Sequence, residues 1–113
     1  MSALIKTKTQ EILLEKVIVA ESFMSRFKGL MGRNSLPADA GMVIAPCNSI
    51  HCFFMKFPID VIFMDKNKRI IHIIGNMKPG RISPIVRKAK YVIEANANTL
   101  SRQVSLGDEI SLL

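Results

Sequence analysis

The chain has 113 residues, 49% of them hydrophobic and 22% charged, which fits one globular domain over residues 1–113 and excludes collagen, coiled coil and disorder. Sixteen basic residues against nine acidic ones give a formal net charge of +7, which favours anionic partners. Only 6% of the residues are aromatic and none is tryptophan, so extended stacking surfaces for bases or sugars are disfavoured.

Short apolar segments rich in branched side chains predict a mainly β protein. About eight strands are predicted, over residues 4–9, 12–20, 41–45, 50–57, 59–65, 69–74, 91–95 and 109–112. A long irregular loop containing Pro79, Gly80 and Pro84 follows the sixth strand, and a turn or short helix is predicted over 98–104. Because no regular alternation of strand and helix appears, we expect a compact β-sandwich or a small barrel.

One short amphipathic helix is predicted over residues 22–31. Its apolar side chains recur at helical spacing, and they are Phe23, Phe27, Leu30 and Met31. Ser22 stands at the position of an N-cap and Gly32 at that of a left-handed C-terminal stop. The apolar stripe should therefore pack against the sheet.

The two cysteines, Cys47 and Cys52, are expected to be free thiols, because two residues five apart on one strand are poorly placed for a disulfide. The N-terminal residues include lysines but no apolar stretch of signal-peptide length. The longest uncharged stretch, 40–55, is interrupted by polar residues. We therefore expect a cytoplasmic protein without a membrane span.

Residues suited to chemistry are concentrated between Arg26 and Asp60. Asp60 lies between two apolar neighbours on a predicted interior strand, where an unpaired carboxylate would be costly. The expected cationic partner is Arg26 first and Arg33 second, with His51 also available. Such a pair would suit a structural salt bridge and a ligand-facing site equally well.

Metal and nucleophile sites are both considered at residues 47–55. The set of Cys47, His51, Cys52 and Met55 has soft ligands, but successive strand residues point to opposite faces, so we expect no metal and no cofactor. A thiol nucleophile activated by His51 stays open, although no strained nucleophile turn or glycine-rich oxyanion loop flanks it. The glycine patterns that cradle phosphates are absent.

Several blocks together carry a resemblance to a known family. They are RFKGLMGR at 26–33, CNSIH at 47–51, FFMKFPIDVIFMD at 53–65, YVIE at 91–94 and Gly107-Asp108. The chain resembles the domain of unknown function 192 family (DUF192) from about residue 17 to about residue 110. The resemblance implies a compact, jelly-roll-like β-sandwich with one helix, and it implies no activity.

The leading hypothesis is a small cytosolic binding module whose cationic cleft takes an anionic small molecule or an acidic partner surface. The candidate ligand-binding residues are Arg26, Arg33, Asn48, His51, Asp60, Arg81 and Glu94. One alternative is an enzyme that uses His51 with Asp60 or with a cysteine thiol. A second is nucleic-acid binding through residues 66–90, which hold eight positive charges and no acid, although such spaced charges are more typical of a solvated face than of a binding patch.

Overall fold

A computed structural model describes residues 2–20, 30, 33–53 and 55–113, and the structural statements below refer to these residues. In this part of the chain the regular elements are seven strands and one 3₁₀ helix, Leu100–Arg102. The strands are β1 (Ser2–Lys6), β2 (Ile12–Ala20), β3 (Ala40–Ile44), β4 (Ile59–Met64), β5 (Ile70–Met77), β6 (Tyr91–Asn96) and β7 (Ile110–Leu112). The mainly β class is confirmed.

The strands form one sheet in the order β5-β4-β6-β3-β2-β1-β7. Strands β2 and β3 are parallel, and the other neighbouring pairs are antiparallel. The two edge strands also meet, because Arg69 and Glu109 form an isolated bridge and the Ile70 N–H donates to the Asp108 carbonyl at 2.9 Å. The sheet therefore curls towards closure at one end, which is closer to a small barrel than to a two-sheet sandwich.

Both faces of the sheet are covered by apolar side chains. The inner core takes residues from all seven strands and from the 3₁₀ helix: Leu4, Leu13, Leu14, Val17, Val43, Ile62, Met64, Ile70, Ile93, Ala95, Leu100, Val104 and Ile110. The outer core combines the opposite strand faces with the irregular chain: Ala20, Leu30, Met42, Ile44, Ile50, Cys52, Met55, Ile59, Val61, Phe63, Met77 and Val92. Ile50, Cys52, Met55 and Phe57 thus lie over the outer face.

The prediction of a strand over 50–57 is wrong for the residues of that segment that are described. Only an isolated bridge between His51 and Ile82 forms there. Ile50 and Cys52 are buried as expected, but the Cys52 N–H donates to the Arg81 carbonyl at 2.8 Å, so the segment bonds to a distant loop instead of a strand. An apolar run of this length is compatible with either arrangement.

The predicted helix over 22–31 lies outside the described residues, except for Leu30, which is buried in the outer core. The predicted turn or short helix over 98–104 is confirmed by the 3₁₀ helix at Leu100–Arg102. Within the ranges that the structure covers, no helix has the length and apolar character needed to cross a membrane.

Candidate functional site

Asp60 is fully buried on β4, and its carboxylate is held by backbone amides. The N–H groups of Asn76 and Asn98 donate to Oδ1 at 2.9 and 3.0 Å, and those of Thr99 and Ser101 donate to Oδ2 at 3.0 and 2.9 Å. Burial alone would raise the pKa of Asp60, but these hydrogen bonds lower it below its ordinary value. These four donors therefore favour the ionised form of the carboxylate.

The predicted cationic partner of Asp60 is not found among the described residues. Among the described residues no cation forms an ion pair with Asp60, and Arg33, the second choice, is an exposed residue. The first choice, Arg26, lies outside the described residues. Four amide donors supply the charge compensation that we expected from an arginine. Asp60 therefore joins β4 to β5 and to the chain around the 3₁₀ helix.

Glu94 is a second buried acid, but it faces the other core. It lies on β6 between Met42 of β3 and Val61 of β4, and it is 4% exposed. Its Oε1 has no hydrogen-bond partner among the described residues. Burial raises the pKa of Glu94 to about 7, and a backbone hydrogen bond from Leu30 only partly offsets this. Since side chains alternate along a strand, Asp60 and Glu94 lie on opposite faces of the sheet.

The two cysteines are not joined in a disulfide, and Cys52 has little nucleophilic character. Burial, together with the charge of Glu94, raises the pKa of Cys52 to about 11, which leaves very little thiolate at neutral pH. Cys47 is half-buried, and its Sγ donates to the Ser49 carbonyl at 3.1 Å. Asp60 points into the inner core, so it does not orient His51 over the outer face. In the described ranges no group of three His, Cys, Asp or Glu residues is placed to hold a metal ion.

Three other candidate residues, Asn48, His51 and Arg81, are brought together by two loops. The Val86 N–H donates to the Asn48 carbonyl at 2.8 Å, and His51 pairs with Ile82, the neighbour of Arg81. The structure describes six of the seven candidates: three lie along one loop contact, Asp60 and Glu94 lie in separate cores, and Arg33 is exposed elsewhere on the chain. The seventh, Arg26, lies outside the described residues.

A cleft opens beside this contact, between the end of β5 and the loop that follows it. It has a volume of about 350 Å³, and its lining residues are Ile74, Gly75, Asn76, Met77, Lys78, Arg81 and Ile82. The Arg81 N–H donates to the Lys78 carbonyl at 3.3 Å and closes the turn between the two cations. The described residues of the lining include two positive charges and no acid.

A second cleft, of about 570 Å³, differs in its charge balance. It lies where β1 and β7 end, and it is lined by Lys6, Thr7, Lys8, Thr9, Arg69, Gly107, Asp108 and Glu109. The Lys6 ammonium is 3.7 Å from Glu11 and 3.8 Å from Asp108, and the Arg69 guanidinium is 3.3 Å from Glu109. Two of its three cations are therefore already compensated, so the smaller cleft is the better site for an anion.

Sequence reasoning singled out Arg81 but did not join Lys78 and Asn76 to it. The signal was present in the segment Lys-Pro-Gly-Arg at 78–81, because a Pro-Gly turn brings its two flanking residues close together. Asn76 adopts φ of 52°, a left-handed conformation that asparagine tolerates better than most residues.

Comparisons with known proteins give a family and a fold. The sequence profile of the DUF192 family, described as uncharacterized ACR, matches residues 3–112. A UPF0127 protein of Pyrococcus furiosus is 34% identical over 110 residues, which cover 92% of this chain and 91% of the relative. A UPF0127 protein of Pyrococcus abyssi is 37% identical over 101 residues, which cover 84% of each chain.

Two crystal structures share the fold. A protein of unknown function from Novosphingobium aromaticivorans superimposes with a TM-score of 0.82 at 22% identity, over 97% of this chain and 82% of that one. A Sinorhizobium meliloti protein, assigned provisionally as a transcription regulator, also gives a TM-score of 0.82, at 28% identity, over 98% of this chain and 91% of that one. The profile match spans the motifs noted at 26–33, 47–51 and 53–65, so the chain belongs to the DUF192 family.

Proposed function

We propose that this domain is a binding module that takes an anionic group, a carboxylate or a phosphate, in the cleft between Lys78 and Arg81. The observation that carries the proposal is the pairing of two cations with no acid in a cleft of about 350 Å³. Both side chains are exposed, and neither lies in an ion pair with a described residue. An entering anion would not have to displace an internal carboxylate.

The backbone around the cleft supports the proposal because it is fixed before any ligand arrives. The Gly80 N–H donates to the Cys52 carbonyl at 2.8 Å, and the Cys52 N–H donates to the Arg81 carbonyl at the same distance. This double contact ties the turn to a fully buried residue. A site held in one conformation loses less entropy on binding, and the apolar walls Ile74 and Met77 strengthen its electrostatic attraction.

Nucleic-acid binding through residues 66–90 is the second candidate. The provisional assignment of the Sinorhizobium meliloti relative favours it. The arrangement of the segment favours it less, because Arg69 is paired with Glu109, while Lys68 and Lys90 lie 5.8 and 5.6 Å from the centre of the Tyr91 ring. A cytoplasmic location remains part of the proposal and is supported by the two free thiols.

The test is a calorimetric titration of the protein with inorganic phosphate and with acetate. Lys78→Gln and Arg81→Gln should each weaken binding by about fivefold to tenfold, since each removes one positive charge from the cleft. Lys8→Gln, which removes a charge from the second cleft, is the control and should change the affinity less than twofold. Equal affinity in the wild type and in the double variant Lys78→Gln/Arg81→Gln would overturn the proposal.

A further inference from the structure

We propose that the loop at residues 78–90, named here the docking loop, seats the protein on an anionic bilayer surface. In this inference Ile82 and Ile85 enter the boundary of the acyl chains, while the exposed cations of the loop contact lipid phosphates. The part played by the cleft rests on the proposed function, because Lys78 and Arg81 would hold a lipid headgroup there.

The two isoleucines at the tip of the docking loop are highly exposed and fixed in place. Ile82 is 67% exposed and Ile85 is 69% exposed. Between them Ser83 is buried, and its hydroxyl accepts the Ile50 N–H at 2.9 Å and donates to the Pro84 carbonyl at 2.9 Å. The Ser83 N–H also donates to the Ile50 carbonyl at 2.9 Å. This anchor holds the two isoleucines outward, so they cannot be explained as a disordered surface segment.

A third exposed apolar residue stands on the segment that is hydrogen-bonded to the docking loop. Phe53 is 42% exposed, and its ring lies 4.9 Å from the ring of His51, which forms a bridge with Ile82. The tip is thus built from two separate segments of the chain. Exposed apolar groups held together in this way are typical of an interaction surface, whereas single exposed apolar residues need no explanation.

The charge around the tip has one sign. The docking loop carries five cations and no acid: Lys78, Arg81, Arg87, Lys88 and Lys90. All five are exposed, and none forms an ion pair with a described residue. The ion pairs of the described chain involve Lys6 and Arg69, at the other cleft. Apolar side chains ringed by cations match the chemistry of an anionic lipid interface, where acyl chains lie beneath phosphates.

A bilayer fits this surface better than a protein or a nucleic acid does. A stable protein interface covers roughly 800 Å² on each partner, far more than two isoleucines and one phenylalanine present. Proteins bind the bases of unpaired strands by stacking them on aromatic rings, and among the described residues of the tip only Phe53 is a phenylalanine, tyrosine or tryptophan. An isoleucine side chain has no polar group that could hydrogen-bond to a protein or to a nucleic acid. Acyl chains need no such hydrogen bond.

The experiment measures sedimentation of the full chain with vesicles of phosphatidylcholine containing one-third phosphatidylglycerol, at about 0.1 M salt. The wild type should bind these vesicles and not vesicles of pure phosphatidylcholine. Ile82→Ser/Ile85→Ser should weaken binding at least about tenfold. Arg87→Gln/Lys88→Gln, which leaves the cleft intact, should weaken it by about fivefold for each charge removed. The matched control, Ile12→Ser/Leu106→Ser, removes two residues of similar exposure elsewhere and should change binding less than twofold.

Three results would overturn the inference. The wild type could fail to bind anionic vesicles, or the isoleucine variant could bind them as well as the wild type does. The third is that the protein binds single-stranded DNA more tightly than vesicles and that the isoleucine substitutions change neither affinity. Titration with soluble glycerol phosphate separates this inference from the proposed function. If glycerol phosphate binds and the vesicles do not, the docking inference fails and the cleft stands. If vesicle binding depends on the isoleucines but glycerol phosphate does not bind, the cleft proposal fails and docking stands.

Discussion

At Asp60, four backbone amide N–H groups donate hydrogen bonds to the buried carboxylate. Their donors come from residues 16 to 41 positions further along the chain, so no local pattern around Asp60 announces them. What the sequence does show is that a carboxylate between Ile59 and Val61 must be compensated. The need for compensation is predictable from neighbours, whereas the identity of the compensating groups depends on the fold.

Asp60→Asn should lower the free energy of unfolding by about 2–4 kcal/mol, because an amide NH₂ group would then face backbone N–H donors and leave buried groups unpaired. Urea denaturation measures this change. Arg33→Met is the control, and it should stay within about 0.5 kcal/mol because Arg33 is exposed. Equal destabilisation by the two substitutions would indicate that Arg33 and Asp60 form an ion pair.

Glu94 and Asp60 give the free energy of unfolding opposite dependences on pH. The pKa of Glu94 is raised from 4.5 to about 7, so in that window the folded chain holds a proton that the unfolded chain has released. Stability contributed by the neutral acid is therefore lost as the pH rises through this window. Asp60, with a lowered pKa, contributes stability that is lost as the pH falls through its folded value.

Glu94→Gln isolates the first effect, because both proteins retain Asp60. Between pH 5 and pH 8 the unfolding free energy of the wild type should fall by about 3 kcal/mol relative to that of the variant, since glutamine has no proton to lose. Urea denaturation at the two pH values gives this difference. Parallel pH profiles for the two proteins would show that Glu94 titrates alike in the folded and unfolded chains.

At the scale of elements, the irregular segment 50–57 depends on the docking loop for its hydrogen bonds. Ser83→Ala removes the hydroxyl that accepts the Ile50 N–H and leaves that buried donor unpaired. We expect a loss of about 1–3 kcal/mol in unfolding free energy and faster hydrogen exchange at the Ile50 amide. Ser105→Ala changes an exposed serine and should stay within about 0.5 kcal/mol. Unchanged exchange at Ile50 in Ser83→Ala would show that the loop contact survives without the hydroxyl.

The strands that sequence reasoning located best are β2, β4 and β6, since each is a run of branched apolar residues ended by turn residues. Residues 50–57 misled it because burial and apolar character are shared by strands and by packed irregular chain. The closure of the sheet was also beyond local patterns, because β7 pairs with β1, some hundred residues earlier, and meets β5 through the Arg69–Glu109 bridge.

At the scale of the whole molecule, the positive charge that gives the net value of +7 is unevenly distributed. Where β1, β5 and β7 converge, cations form ion pairs with acids, whereas the cations of the docking loop are exposed. Composition predicts an anionic partner, and three of the residues singled out from the sequence, Asn48, His51 and Arg81, belong to segments that contact each other. The choice between the two clefts required the ion pairs, which only the three-dimensional arrangement reveals.

The most direct test of the anion-binding cleft is a map of amide chemical shifts in ¹⁵N-labelled protein titrated with phosphate at constant ionic strength. The largest changes should fall in residues 74–82 and should disappear in Lys78→Gln/Arg81→Gln. Changes concentrated instead in residues 6–9 and 107–109 would place the anion in the larger cleft and contradict the account.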